Sequence, residues 1–176
     1  MIDFKERTLF QKDFTLLIIG QIISLFGNSI LRFSLSLYIL DETGSAAAFG
    51  SILAVSMIPT ILLSPFGGVL ADRVNRRNIM ICLDIITSFV CIFFLTQLGS
   101  NQIVCIVAGV MIVLSIIQSM YQPAVQSSIP VLVDSHHLLQ ANGVVVQVNA
   151  LANFLGPILG GMLYGFLDLK VIVICL

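Results

Sequence analysis

The sequence predicts an all-α fold, a polytopic membrane helix bundle, and three observations carry that reading. Of 176 residues, 58% are hydrophobic and only 10% charged, against roughly 25% charged residues in a soluble domain. The mean hydropathy is +1.08. Between Asp84 and Asp134 there is no Asp, Glu, Lys or Arg. That stretch is longer than one spanning helix, which needs about 20 apolar residues to cross a hydrocarbon core about 30 Å thick.

The elements follow in chain order. Residues 1–13 mix Lys5, Arg7 and Lys12 with Asp3, Glu6 and Asp13 and read as a short cytoplasmic segment. No small-residue cleavage site follows the next apolar run, so a removable signal peptide is not expected. Spans one, two and three are predicted over residues 14–40, 46–71 and 78–98, each bounded by charged residues or by Gly and Ser. Gly99, Ser100, Asn101 and Gln102 divide the uncharged stretch, so span four begins near Gln102 and passes Met120. Span five, less apolar, covers residues 138–166, and after Asp168 and Lys170 a sixth apolar segment starts at Val171. The bundle over residues 14–176 thus holds five complete spans and the start of a sixth, and reads as truncated inside that last helix.

Orientation follows from the Lys/Arg bias of short loops. Lys5, Arg7 and Lys12 precede span one and Arg73, Arg76 and Arg77 follow span two, while the loops after spans one, three and five hold only Lys170. The amino terminus is therefore expected in the cytoplasm of a multi-pass cell-membrane protein. The Asp41/Glu42 and Asp168/Lys170 turns then lie outside, and the loop with Asp134, His136 and His137 inside.

Other classes of function find no support. Cys82, Cys91, Cys105 and Cys175 all lie in apolar segments without a CxxC pair, so neither a disulfide nor a metal site is expected. A net charge of −1 leaves no nucleic-acid footprint. No nucleophile, phosphate loop or carboxylate pair points to an enzyme, and no cofactor is implied.

Two motifs carry more. The turn between spans two and three reads Gly68-Val-Leu-Ala-Asp72-Arg73-Val-Asn-Arg76-Arg77. Asp72 ends span two, where the helix dipole disfavours an anion, so it needs a cationic partner or another helix's amino terminus; Arg76 is at pairing distance if the helix continues. The arginines also serve as positive-inside anchors. In span five, Gly143, Ala152, Gly156-Pro157 and Gly160-Gly161 include three small residues at four-residue spacing, a flat face for close helix approach. Pro157 crowds the carbonyl of Asn153 and predicts a kink. Ordinary small-residue packing gives the same pattern.

The first motif resembles the hallmark loop of the major facilitator superfamily, with Asn75 at a usual glycine position, and the second resembles the motif marking its antiporters, with Ala152 for one glycine. Gln122-Pro123-Ala124 through Pro130, then Leu138-Leu-Gln-Ala141-Asn142-Gly143, further resembles the macrolide-efflux-like branch. The resemblance implies the amino-terminal half of a twelve-helix transporter. Asp72, with Arg73, Arg76, Arg77 and Gly68, would form a conformational latch, and the Gly156-Pro157-Gly160 helix a hinge. It also implies a proton-coupled exporter of small hydrophobic or amphipathic substrates, working with a carboxyl-terminal half in the lipid bilayer. Export of a siderophore or lipid-like molecule, or a non-transporting fragment, stays open.

Polar residues within spans are expensive and default to functional hypotheses. Gln21, Ser24, Asn28, Arg32 and Ser36 recur at three- and four-residue spacing on span one, so one face turns to the bundle interior. Gln21, Asn28 and Gln118 are candidate cavity lining. Arg32 either snorkels outward or contacts substrate or a carboxylate. Asp84, inside span three, is a candidate proton carrier or a partner for the loop arginines. Gln118, Gln122 and Gln126 stack on span four, and Asn149 and Asn153 on span five, for interhelical bonds or for a ligand. Span four lacks the arginine usual in the family.

Overall fold

The computed structural model describes residues 12–73, 75–100 and 102–176, and the side chains of all of these except 67 and 69–73. The described chain forms α1 (Lys12–Thr43), α2 (Ala46–Arg73), α3 (Arg76–Gln97), α4 (Ile103–Leu132), a 3-10 turn (Ser135–His137), α5 (Leu138–Phe166) and α6 (Leu169–Cys175), with no strand. Five helices among the described residues are long and apolar enough to cross a membrane. Their outward faces are apolar, with Ile23, Ile61, Phe66 and Phe89 all exposed, and α3 buries only Ile79, Leu83 and Phe94. Such surface suits lipid and not water.

The turns explain where the helices stop. Asp41 and Glu42, read above as a turn, complete the last turn of α1, because the break falls at Gly44, whose φ of 61° only glycine adopts readily. Gly99, at φ 95°, makes the α3–α4 turn in the same way. Between α2 and α3 the helix does not continue, so Asp72 and Arg76 lie on separate helices and the within-helix pairing expected of them does not apply. Asn75 there is extended (φ −61°, ψ 112°), not left-handed, and its Oδ1 accepts from the Arg77 N–H at 3.1 Å, capping α3. α5 runs unbroken as helix through Pro157.

The closest packing joins α1 to α5 and α2 to α4, followed by α3 against α4. Ser29 faces Gly156, and Ser34 donates to the Gly160 carbonyl at 3.3 Å, so α1 and α5 run parallel. Exchanging α1–α3 for α4–α6 maps the α1–α5 interface onto α4–α2 and the α3–α4 interface onto α6–α1. Since α1 and α4 run in opposite directions, this is the contact pattern of an inverted repeat, which the sequence alone does not display.

Two apolar cores result. One packs Phe14, Ile18 and Leu25 of α1 against Ile117–Ile129 of α4 and Ala141–Ala152 of α5. The other packs Leu31, Leu35 and Ile39 against Ile52, Phe94 and Ile103–Leu114. Between them, at Asn28 on α1 and at Ser115 and Gln118 on α4, lies a polar belt.

Candidate functional site

The belt opens into a cavity of about 400 Å³ bounded by α1, α2, α4 and α5. Its polar groups are Asn28, Ser29, Arg32, Thr60, Gln118 and Asn153, and Leu25, Leu53, Met57 and Ile61 supply apolar wall. At 1.5 Å per residue, Arg32 and Ser56 lie about 15 Å from the shared α1–α2 turn, and Asn28 and Gln118 about 22 Å from the same end of the bundle. α1 and α4, about 48 and 45 Å long, overhang a hydrocarbon core about 30 Å thick, so a centred bundle sets Asn28 and Gln118 near mid-depth and Arg32 and Ser56 between mid-depth and one rim.

Each polar group has a definite place. Asn28 Nδ2 donates to Gln118 Oε1 at 3.3 Å, while Asn28 Oδ1 is buried without a partner. Arg32 Nη2 donates to Ser56 Oγ at 2.9 Å, so the guanidinium turns to α2 instead of snorkelling outward. Thr60 donates to the Ser115 carbonyl at 3.3 Å, and Gln122 to Asn149 Oδ1 at 2.5 Å. Gln122 and Asn149 therefore bridge α4 and α5. Gln21 is separate: its side chain is buried, with both amide atoms unpartnered, and it lines neither this cavity nor the groove described next.

A second groove, of about 290 Å³, lies between α1, α3 and α4, with Leu176 at its edge. Asp84 lines it, and its Oδ1 accepts from Ser24 Oγ at 3.1 Å. Asn28 and Gln118 line both spaces, so their mutual hydrogen bond forms the partition between the groove of Asp84 and the cavity of Arg32.

The motif residues fall elsewhere. Arg76 and Arg77 line a cleft of about 870 Å³ at the end that holds the α2–α3 turn, with Asp13, Met80 and Ser128. The side chains of Asp72 and Arg73 lie outside the described residues. Gly68 and Gly143 have open space where a Cβ would project. Gly156 and Gly160 lie against α1: a Cβ on Gly156 would fall on the Oγ and Cβ of Ser29, and one on Gly160 would come 3.0 Å from the Ile30 carbonyl. Gly161 faces the Phe33 ring, and Ala152 is buried at the cavity wall.

Sequence reasoning missed Ser56, Ser29 and the cap at Asn75. A signal for the first existed, because Ser56, Thr60 and Ser64 recur at four-residue spacing on an otherwise apolar helix.

A family model, that of the Major Facilitator Superfamily, matches residues 17–175. The chain belongs to the Major Facilitator Superfamily. Within the superfamily it is similar to macrolide efflux protein A of Streptococcus pyogenes, 26% identical over 155 residues, which are 88% of this chain and 38% of that protein. It is also similar to an uncharacterised MFS-type transporter of Bacillus subtilis, YfiS, at 27% over 164 residues, 90% of the chain and 38% of the relative. A third, an uncharacterised MFS-type transporter of Sinorhizobium fredii, is 28% identical over 159 residues, with 88% and 38% covered. The chain thus spans well under half the length of these relatives. No solved structure matches it. Superfamily membership and five helices long and apolar enough to cross a membrane make this a multi-pass membrane bundle of that family.

Proposed function

We propose that this bundle belongs to a secondary exporter of small hydrophobic or amphipathic molecules, driven by exchange for protons, with its amino terminus in the cytoplasm. The observation that carries the reading is the cavity, which four helices line with polar groups set in apolar wall. Transporter sites lie near the bilayer midplane in such positions, and a volume of about 400 Å³ falls within the range of small-molecule sites. The similarity to a macrolide efflux protein supports export. In this reading Asn28 and Gln118 hold the substrate, and Asp84, Ser24's partner across the amide partition, carries the proton. Asp72, Arg73, Arg76, Arg77 and Gly68 form the latch between two halves. The helix of Gly143, Ala152, Gly156, Pro157, Gly160 and Gly161 is the packed element that moves with α1. The remaining half of the transporter faces the cavity.

The test is drug accumulation in cells expressing the full-length protein and its Asn28→Ala, Gln118→Ala and Asp84→Asn variants. Lower accumulation with the parent, lost in the two amide variants, is expected. Asp84→Asn should abolish the dependence of export on the proton gradient. Unchanged export in both amide variants removes the cavity assignment, and unchanged gradient dependence in Asp84→Asn removes the proton assignment.

A further inference from the structure

We infer that the cavity selects molecules bearing an anionic group, a carboxylate, sulfonate or phosphate, which binds the guanidinium of Arg32. The inference rests on the exporter reading above and names its substrate class.

Arg32 carries five N–H donors in a rigid fork, and one nitrogen, Nη2, is engaged by a neutral acceptor, Ser56 Oγ at 2.9 Å. No Asp or Glu lines the cavity, so among the described residues Arg32 is its one charged group. The acids on neighbouring elements are out of reach. Asp41 and Glu42 lie nine and ten residues further along α1, about 14 Å away at 1.5 Å per residue. Asp84 is bonded to Ser24, about 12 Å down the same helix, and it opens to the groove on the other side of the amide partition. A cation deep in a membrane protein persists where it meets an opposite charge or a water-filled path, and the Arg fork matches a carboxylate or phosphate with two parallel bonds.

A second group completes the pattern. Asn28 lines the same cavity, one helical turn and about 6 Å from Arg32, and sets an amide one turn deeper than the anion. Leu25, Leu53, Met57 and Ile61 receive the hydrocarbon part. Selection against cations follows from the same isolated charge, since a like charge brought beside Arg32 is repelled in a low-dielectric space.

An anionic group could reach Arg32 from the transported molecule or from a carboxylate on the rest of the transporter, and the experiment separates the two. Detergent-purified full-length protein is dialysed to equilibrium with anilinonaphthalene sulfonate and with phenylnaphthylamine, its uncharged counterpart, and saturable binding above empty micelles is measured. The parent should bind the sulfonate more tightly than the amine. Arg32→Gln should weaken the sulfonate roughly tenfold to a hundredfold, the range for a hydrogen bond to a charged group, and leave the amine unchanged; Arg32→Lys, a point charge without the fork, should fall between the parent and Arg32→Gln. If the amine binds and neither probe responds to Arg32→Gln, the inference is overturned and the exporter reading stands. A parent with no sulfonate preference, joined to a loss of thermal stability in Arg32→Gln, assigns the anion to the transporter's own chain and also overturns it. Saturable binding of neither probe removes both readings.

Discussion

Replacing each glycine of the α5 motif by alanine separates the residues that seat α1 from those that merely share the spacing. In a helix interior alanine is favoured over glycine by about 1 kcal/mol, so a substitution into open space should stabilise. Gly143 meets nothing within 4 Å, and Gly143→Ala should gain up to about 1 kcal/mol. At Gly156 the new methyl falls on both the Oγ and the Cβ of Ser29. A rotamer change moves the Oγ, but the Cβ is fixed to the α1 backbone, so the two helices must part. Overpacking costs about 1–3 kcal/mol, and a clash with an immovable atom belongs at the upper end, leaving Gly156→Ala about 2 kcal/mol less stable after the propensity gain. Gly160→Ala, with its nearest neighbours at 3.0 and 3.3 Å, should fall between them. The assay is thermal unfolding of the detergent-solubilised full-length protein, where about 1 kcal/mol shifts the midpoint by less than it does in a chain of about 150–250 residues, about 2–4 °C, because the shift falls with size. Gly156→Ala should melt below Gly143→Ala by a few degrees, and by no more than about 12 °C. Adding Ser29→Gly, which removes both colliding atoms, should recover most of the loss at 156. Equal melting temperatures at 143 and 156, or no recovery in the double variant, would refute the close seating of α5 on α1.

Two further predictions concern single contacts. Asn75→Ala removes the side-chain cap of α3 and should cost about 1 kcal/mol, whereas Asn75→Gly should cost only a few tenths, read as the corresponding thermal shifts. Tyr164→Phe breaks the 2.7 Å bond from Tyr164 to the Asp41 carboxylate, which ties α5 to the far end of α1; because Asp41 is exposed, the loss should stay below about 1 kcal/mol and leave the Gly156 series unchanged.

The number and order of helices were legible because hydropathy alone sets them: no structure except a helix or closed barrel satisfies its backbone in lipid. The ends of the helices were less so. Asp41 and Glu42 read as a turn from their charge, yet helices extend until the backbone breaks, and the break needed the positive φ of Gly44. The Ser29–Gly156 and Ser34–Gly160 contacts were half legible, since the small residues of α5 were visible but their partner was not. Which helix seats on such a face depends on tertiary packing, and the pairing of α1 with α5, with three α-helices between them in sequence, has no local signal.

The polar stripe of α1 shows how one sequence pattern is divided among several neighbours. Four residues turn a helix through about 400°, so each step from Ser24 to Asn28 to Arg32 advances the face by about 40°. The partners follow that rotation: Ser24 meets Asp84 of α3, Asn28 meets Gln118 of α4, and Arg32 meets Ser56 of α2. A single interior face, as the spacing suggests, would turn all three to one space. The drift instead sends Ser24 to the groove and Arg32 to the cavity, and leaves Asn28 between them as the residue that touches both. A change in either space that breaks the Asn28–Gln118 bond therefore opens the wall of the other. In the proposed exporter this makes the amide pair the shortest physical link between the proton carried by Asp84 and the anion held by Arg32.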